Sequence, residues 1–223
     1  MDYLHWNQKT ITDFSDDNVA AMYSNGYVFT RLGKGIMQQT RSVRIDLLRF
    51  EVTSENRRIM KKSGVFIVPS GHYNWEIGKM AKDFYDTKFE TGIMSANKIK
   101  EVITDTAKSN FNYLIGFCTD NLAASVPIGY AICYKNSELL HYSYPFYNLN
   151  KAPKDMGLGM MTNAIGFAKQ NGIRYVYLGS IQRPNDTYKL QFEGLEWFDG
   201  TKWQTDIEQA KQVLSTLQTL RTL

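Results

Sequence analysis

The residue types that most often hold metals or act as nucleophiles are scarce in this sequence. It contains two cysteines, Cys118 and Cys133, and three histidines, His5, His72 and His141, all isolated from one another. The cysteines are too few and too far apart for a zinc or redox motif. No Ser/His/Asp or Cys/His set is evident either. We therefore expect no bound metal, no cofactor and no covalent enzyme intermediate.

Long apolar runs and strong net charge are missing as well. No apolar run approaches the roughly 20 residues that span a bilayer, and the opening Met-Asp-Tyr-Leu-His-Trp lacks the basic-then-apolar pattern of a signal peptide. We expect a cytoplasmic protein with no membrane partner. The 223 residues are 43% hydrophobic and 22% charged with a net charge of +4, the composition of a globular protein that buries a full core.

Basic residues are concentrated in one early part of the chain, although the total charge is mild. This local density predicts a polyanionic partner for the region. The residues concerned are Arg31, Lys34, Arg41, Arg44, Arg49, Arg57, Arg58, Lys61 and Lys62.

Hydrophobic periodicity and capping residues predict the order of helices and strands. Ser15, Thr53 or Ser54, and Ser95 are the expected N-caps of the first, second and fourth helices. A polar, glycine-bearing loop is expected over residues 33–40. The predicted helices cover 16–23, 55–62, 75–88, 96–106, 157–170 and 206–220, and the predicted strands cover 41–47, 112–117, 127–134, 139–146, 175–178 and 189–197.

The order of elements after residue 41 resembles that of the GNAT acyltransferases. It predicts an α/β (α+β) fold, a GNAT-like mixed sheet flanked by helices, in which the parallel fourth and fifth strands are splayed. The splay is expected between strands 139–146 and 175–178, where free backbone groups hold the carbonyl of a thioester or ester. We expect an N-terminal extension over 1–40, a GNAT-like aminoacyltransferase domain over 41–203 and a C-terminal helix over 204–223.

The most informative segment is the apolar run from Tyr175 that ends in Gly179 and Ser180. A buried strand that ends in an open loop leaves a cleft at a strand end, which is the usual ligand position in α/β sheets. Tyr188 and Lys189 open the next alternating run, so they are expected at the start of a strand beside this loop. The pattern therefore places a cation next to the cleft.

Four segments of the chain together resemble the arginyl-tRNA-protein transferases, a family related to the leucyl/phenylalanyl transferases. The resemblance implies a GNAT fold and the transfer of an amino acid, arginine in this family, from aminoacyl-tRNA to the N-terminus of an acceptor protein or peptide. The family's N-terminal cysteine cluster is absent, so no role attached to it is expected. The segments are Arg41 to Leu47 with Thr53 to Ile59, Tyr144-Pro-Phe-Tyr147, Tyr175 to Gly179, and Tyr188 to Phe192 with Leu195-Glu196.

The resemblance implies three candidate catalytic residues. An aminoacyl ester is already activated, so the enzyme holds the 3′ end, deprotonates an amine and stabilises an oxyanion. Tyr188 is a candidate donor to the ester or oxyanion, Lys189 a ligand of the terminal phosphate or of an acidic acceptor, and Glu196 a general base. The alternatives are a packed tyrosine, an exposed lysine at a strand end and a carboxylate in a surface ion pair.

Nine further residues are candidates for substrate binding. Basic side chains are expected to bind phosphate or carboxylate groups, an acid to pair with the arginyl guanidinium, a tyrosine to stack on the terminal adenine, and the strand-end loop to hold the ester. The alternatives are a solvated helix face for the basic residues of helix 55–62 and, for its first acid, an interaction with the helix dipole. The basic candidates are Arg41, Arg44, Arg57 and Arg58, the acid is Asp46 or Glu55, the tyrosine is Tyr144, and the residues at the strand end are Gly179 and Ser180.

Two other functions remain open at this point. The segment from Lys154 through Gly157 to Gly159 resembles a degraded pyrophosphate loop before a helix, as in a GNAT enzyme that uses acyl-CoA. A non-catalytic GNAT-fold protein that binds tRNA or a peptide N-terminus is the second alternative. Three observations separate these functions. Transfer from aminoacyl-tRNA indicates the aminoacyltransferase, turnover of acetyl-CoA indicates the acyl-CoA enzyme, and binding without either reaction indicates the non-catalytic protein.

Overall fold

A computed structural model of the protein describes residues 4–61, 63–69, 71–119 and 127–219. Lys62, one of the early basic residues, and Leu220, the expected end of the last helix, lie outside these ranges. The helices are α1 Asp16–Ser24, α2 Ser54–Met60, α3 Trp75–Lys88, α4 Ala96–Thr104, α5 Met156–Gln170 and α6 Ile207–Thr219, with a 3₁₀ helix at Pro184–Gln191. The strands are β1 Asn7–Thr10, β2 Tyr27–Phe29, β3 Ile36–Gln39, β4 Ser42–Asp46, β5 Gly64–Val68, β6 Tyr113–Cys118, β7 Gly129–Lys135, β8 Leu139–Tyr147, β9 Tyr175–Ser180, β10 Leu195–Phe198 and β11 Trp203–Gln204.

Eight of these strands form a mixed sheet in the order β11-β10-β4-β9-β8-β7-β6-β5. The strands β10, β4 and β9 pair antiparallel, as do β5, β6 and β7. β8 and β9 are parallel, and α5 lies between them in the chain. The expected α/β class with a mixed sheet and flanking helices is confirmed.

The parallel ladder between β8 and β9 is short. The ladder runs from Leu139 opposite Tyr175 to His141 opposite Tyr177. β9 continues to Ser180 and β8 to Tyr147 beyond the last pair. Parallel pairing of these two strands, expected from the resemblance to the GNAT acyltransferases, is thus present at residues 139–141 of β8.

One compact unit contains the described residues within 1–51, 136–141 and 172–223. A small antiparallel sheet, β1-β3-β2, lies in this unit beside β4, β9 and β10. Its core contains Tyr23, Met37, Ile45 and Tyr177, all almost fully buried. The rings of Tyr23 and Tyr177 meet edge to face with centroids 4.7 Å apart, so α1 packs directly against β9.

The other compact unit contains the described residues within 52–135 and 142–171. α2 begins in a capping box in which Thr53 Oγ1 accepts from the N–H of Asn56 at 3.1 Å and the Asn56 side chain accepts from the N–H of Thr53. α5 is tied to the end of α2 by Asn163, whose Nδ2 donates to the carbonyls of Met60 and Ser63 at 3.0 and 2.7 Å. Ser95 caps α4, as expected.

Five of the strands in the described ranges were not anticipated: β1, β2, β3, β5 and β11. β3 occupies part of the expected loop 33–40, because Ile36–Gln39 pairs with both β1 and β2. β1 was missed because all four of its residues are exposed, so it has no apolar alternation. β5, Gly64–Val68, is an edge strand of five residues that follows α2 closely. Short strands held by their neighbours carry little local signal.

Three further expectations were wrong in detail. β4 is buried at all five positions instead of being half-buried, because its two charged side chains, Arg44 and Asp46, have partners of opposite charge within the fold. The side chain of Ser15 makes no capping bond to α1; its N–H instead donates to Asp13 Oδ1 at 2.9 Å. The strand expected over 189–197 begins only at Leu195, after Gly194 at φ +72°, and Lys189 lies on the 3₁₀ helix.

The 3₁₀ helix has a clear local cause. The Asp186 carboxylate accepts from the N–H groups of Gln182 and Arg183 at 2.8 and 2.9 Å, and Pro184 provides a fixed φ at the first position. These contacts turn the chain back immediately after β9. Tyr188 and Lys189 are therefore presented from a compact turn and not from a strand.

Candidate functional site

The end of β9 carries the main features of the candidate site. Residues 178–180 extend past the parallel ladder, and on the other edge Ser42 lies opposite Ser180. Gly179 has φ +73°, a conformation that side chains other than glycine adopt with difficulty. A Cβ atom at Gly179 would lie 4.0 Å from Lys189 Nζ, so the ammonium group lies close to this backbone. The expected neighbourhood of Gly179, Ser180 and Lys189 is present.

Lys189 is held at this strand end by its ammonium group. Nζ donates to the carbonyl oxygen of Ser180 at 2.8 Å, and the side chain is half-buried. Burial lowers the pKa of Lys189; Asp186 opposes this shift and Arg183 adds to it. The carboxylate of Asp186 is shared with two backbone N–H groups. Burial therefore disfavours the charged form of Lys189, which lies at the end of β9.

A buried histidine was missed by the sequence reasoning. His141 is the last residue of the β8–β9 ladder, and its Nδ1 lies 2.9 Å from the hydroxyl of Tyr23. That hydroxyl accepts from the N–H of Phe29 at 3.3 Å, which leaves its own hydrogen for Nδ1. Burial, with the charge of Lys189, lowers the pKa of His141 to about 3. The imidazole is therefore neutral and oriented; its sequence signal was only a histidine within an apolar strand.

Arg41 lies beside the same strand end. Its carbonyl accepts from the N–H of Ile181 at 2.9 Å, and its guanidinium lies 5.9 Å from the ring centroid of Trp6. Nη1 is buried and has no hydrogen-bond partner within the described ranges. Burial lowers the pKa of Arg41. This guanidinium is a candidate ligand for an anion.

Arg44 and Glu196 form a buried ion pair on the neighbouring strands. Arg44 Nε donates to Glu196 Oε2 at 2.7 Å and Nη1 donates to the hydroxyl of Tyr177 at 3.2 Å. The guanidinium lies between the rings of Tyr175 and Trp203, with centroids at 4.3 and 4.0 Å. Burial lowers the pKa of Arg44, but Tyr177 and Glu196 outweigh it and leave the pKa raised. Arg44 is a satisfied structural cation in this arrangement.

The two carboxylates of this network are fully engaged. Arg49 contacts Glu196 Oε1, so both carboxylate oxygens of Glu196 accept from arginine. Asp46 accepts from Arg49 at 3.0 Å and from Arg174 at 3.0 Å. A general base needs an available oxygen, and a ligand for an arginyl guanidinium needs an open carboxylate edge. The contacts of Glu196 therefore favour its alternative role in an ion pair, and the carboxylate of Asp46 is occupied by Arg49 and Arg174.

The remaining candidates divide between the two units. Tyr188 belongs to the unit of β9 and is 45% exposed, with its ring centroid 5.9 Å from Lys189 Nζ. In the other unit, Glu55 pairs with Arg58 along the exposed surface of α2, and Arg57 Nη1 donates to the carbonyl of Val52 at 2.7 Å. The ring of Tyr144 packs on Phe111 with centroids 5.1 Å apart.

The segment that resembles a pyrophosphate loop begins α5 with an acid. Asp155 is the N-cap residue, has φ +65° and makes no side-chain capping bond. A Cβ atom at Gly157 would lie 3.5 Å from the ring of Tyr147. A carboxylate at a helix N-terminus interacts favourably with the dipole and repels phosphate groups at the same place.

None of the helices in the described ranges combines the length and hydropathy that crossing a bilayer requires. Among the same residues, His, Cys, Asp and Glu form no group of three or more that could hold a metal ion.

The comparisons with known proteins show only distant structural likeness. No protein-family model and no curated protein matches the sequence. The chain is similar to the C-terminal domain of a protein assigned as a lysylphosphatidylglycerol synthetase from Agrobacterium fabrum, with 11% identity and a TM-score of 0.46 over 78% of this chain and 55% of that one. It is also similar to L-PGS from Bacillus licheniformis, with 11% identity and a TM-score of 0.44 over 89% of this chain and 70% of that one.

A third similar structure is the GCN5-related glucosamine N-acetyltransferase region of a fungal multi-domain GH3 β-N-acetylglucosaminidase. Its identity is 12% and its TM-score 0.49, over 85% of this chain and 22% of that one. The chain thus spans about half of the first neighbour and about a fifth of this one. Likeness at these scores carries no conclusion about activity.

Proposed function

We propose that this protein is an aminoacyltransferase with a GNAT-like fold. In this proposal it moves an amino acid from aminoacyl-tRNA to the amino group at the N-terminus of an acceptor protein or peptide. The observation that carries the proposal is the end of β9, where the parallel ladder has stopped and Lys189 Nζ lies 2.8 Å from the carbonyl of Ser180. The preference for arginine rests on the sequence resemblance alone.

The proposed reaction needs positioning and charge stabilisation, not a protein nucleophile. The acceptor amine attacks the ester carbon, the new C–N bond forms, and the ester C–O bond breaks to release the 3′-hydroxyl of the tRNA. The amine loses a proton and the leaving ribose oxygen gains one. Backbone N–H groups of residues 178–180 and the ammonium of Lys189 are the proposed donors to the developing oxyanion.

Aminoacyl-tRNA fits the charge distribution better than acyl-CoA does. Acyl-CoA would place a pyrophosphate at the N-terminus of α5, where the carboxylate of Asp155 supplies a negative charge that repels it. Two exposed basic residues, Arg57 on α2 and Lys61 directly after it, suit contact with a nucleic-acid backbone. These features favour the tRNA donor without distinguishing its amino acid.

The acceptor is proposed to carry negative charge near its reacting amine. Arg41 and Lys189 both lie at the end of β9: the backbone carbonyl of Arg41 accepts from the N–H of Ile181, and the ammonium group of Lys189 donates to the carbonyl of Ser180. Burial lowers the pKa of both groups, so neither positive charge is fully compensated. An acidic first residue on the acceptor would supply the missing charge.

Transfer of labelled amino acid tests the proposal. Purified protein is incubated with tRNA charged with a radiolabelled amino acid, arginine first and others after it, and with peptides that begin with Asp, Ala or Lys. The proposal predicts label in the peptide, abolished when RNase is added first, with the Asp peptide preferred. A Lys211→Met variant is the control, because Lys211 lies exposed on α6 in a pair with Glu208.

Two results would contradict the proposal. Turnover of acetyl-CoA with a free amine, in the absence of tRNA, would favour the acyl-CoA alternative. Tight binding of tRNA or peptide with no transfer from any charged tRNA would favour a binding protein without chemistry.

A further inference from the structure

The backbone of Leu4 is held in the manner of a bound peptide. Its N–H donates to Gln182 Oε1 at 2.7 Å, and its carbonyl accepts from Gln182 Nε2 at 2.9 Å. The hydroxyl of Thr40 donates to the same carbonyl at 2.8 Å. A glutamine amide offers one acceptor and two donors, so a single side chain satisfies both main-chain groups of one residue. These hydrogen bonds involve the backbone of Leu4 and not its side chain.

The segment that makes these contacts is weakly attached. We call residues 4–10 the strap; all of its residues are exposed, including the whole of β1. Its backbone pairs with β3 on one side, and Trp6, 40% exposed, meets the ring of Phe198 edge to face. Segments with little buried apolar area open locally at low free-energy cost. The strap is therefore suited to displacement.

The groups under the strap are buried, polar and connected to the candidate site. Thr40 and Gln182 are 6% and 8% exposed, although both types of side chain usually lie at the surface. Gln182 Nε2 also lies 2.9 Å from Thr40 Oγ1 and 3.1 Å from Ser180 Oγ. Ser180 in turn accepts from Lys189 through its carbonyl. The contacts lead without a break from the strap to the end of β9.

We propose that Gln182 and Thr40 form a subsite for the main chain of an extended peptide, which the strap occupies in the free protein. The strap indicates the chemistry of the ligand, which is an extended backbone with one N–H group and one carbonyl that bond to Gln182. Because recognition is through the backbone, the subsite accepts peptides of many sequences. The proposal rests on the proposed function in one respect, that the peptide is the acceptor of the transfer.

Competition between the strap and an added peptide tests the subsite. The probe is a fluorescent synthetic peptide with the sequence of residues 4–10, Leu-His-Trp-Asn-Gln-Lys-Thr, and its affinity for the full-length protein is measured by anisotropy without tRNA. Leu4→Pro removes the N–H that Gln182 Oε1 accepts. Losing one such hydrogen bond should weaken the strap and raise the affinity for the probe about fivefold. Leu4→Ala retains both backbone groups and is the matched control, with a change of less than about twofold expected.

A second substitution identifies the receptor. Gln182→Met has similar volume and lacks the amide, so in the Leu4→Pro background it should remove the gain in affinity. Trp6→Ala, which loosens the strap without touching the Leu4 backbone, should raise the affinity as Leu4→Pro does and replaces it if Leu4→Pro fails to fold. Equal effects of Leu4→Pro and Leu4→Ala, or binding unaffected by Gln182→Met, would overturn the proposal.

The outcome is separable from that of the transferase proposal. Binding is read without aminoacyl-tRNA, so a protein that fails the transfer assay and still shows the Leu4→Pro and Gln182→Met pattern retains the peptide subsite. A protein that transfers amino acid with no such pattern binds its acceptor elsewhere.

Discussion

Replacing Lys189 by methionine should separate activity from stability. Nζ donates one hydrogen bond, to the carbonyl of Ser180 at 2.8 Å. Losing one hydrogen bond costs about 1 kcal/mol. The variant also removes a charge that burial disfavours, since burial lowers the pKa of Lys189. The two effects oppose each other, so we expect the free energy of unfolding to change by less than about 1 kcal/mol, a shift of at most ~4 °C in melting temperature.

The effect on transfer should be far larger. One preorganised donor to an oxyanion contributes about 10²- to 10³-fold in rate, so Lys189→Met should lose that much of its aminoacyl transfer while Lys211→Met keeps it. The assay is single-turnover transfer from labelled aminoacyl-tRNA, beside thermal unfolding of both variants. A loss of activity that follows a matching loss of melting temperature would refute the catalytic role. Unchanged transfer by folded Lys189→Met would refute it equally.

The pH dependence of stability provides an independent reading of Lys189. Its pKa in the folded protein lies below the ordinary 10.5. Between those two values the unfolded chain binds more protons than the folded one, so stability rises with pH across this window. Chemical unfolding between pH 8 and pH 10.5 should show the rise in the wild type and lose this contribution in Lys189→Met. Identical pH profiles would mean that the ammonium is solvated.

Three further predictions concern the histidine, the ion network and the basic helix. The pKa of His141 is lowered to about 3 from 6.5, so the folded state loses about 1.4 kcal/mol of stability per pH unit below about 6. In His141→Gln, the free energy of urea unfolding should depend less on pH between pH 7.5 and 5, and an unchanged slope would contradict the lowered pKa of His141. Glu196→Leu leaves Arg44, which is 8% exposed, without its carboxylate and should cost about 3–5 kcal/mol; adding Arg44→Met should restore most of it, and a double variant no better than the single one would argue against the pair. Binding of tRNA should weaken steeply with salt, and Arg57→Ala or Lys61→Ala should each reduce the slope of log affinity against log salt concentration by about 1. An affinity that does not change with salt would exclude phosphate contacts at these two residues.

Helices were predictable from the sequence where capping and periodicity agree. The bounds expected for α3, 75–88, are those of the structure, because Asn74 caps the helix and apolar residues recur on one face. The parallel pair β8–β9 was expected because the order of elements resembles that of the GNAT acyltransferases. These features depend on neighbours in the chain, which the sequence displays directly.

The details of the site depended on distant partners. The 3₁₀ helix that carries Lys189 forms because the Asp186 side chain bonds to two backbone groups, and the pattern around Tyr188 gave no sign of this. Glu196 looked available in the sequence, but Arg44 and Arg49, about 150 residues earlier in the chain, occupy it. The contact between His141 and Tyr23 spans a similar separation. Tertiary pairing of this kind leaves no periodic trace.

A crystal structure with a non-hydrolysable 3′-aminoacyl-adenosine amide tests the central claim most directly. The account predicts that the aminoacyl carbonyl lies within about 3 Å of a backbone N–H of residues 178–180 or of Lys189 Nζ, the distance of an oxyanion contact. Finding the analogue bound away from the end of β9, with that backbone bonded to protein groups instead, would contradict it.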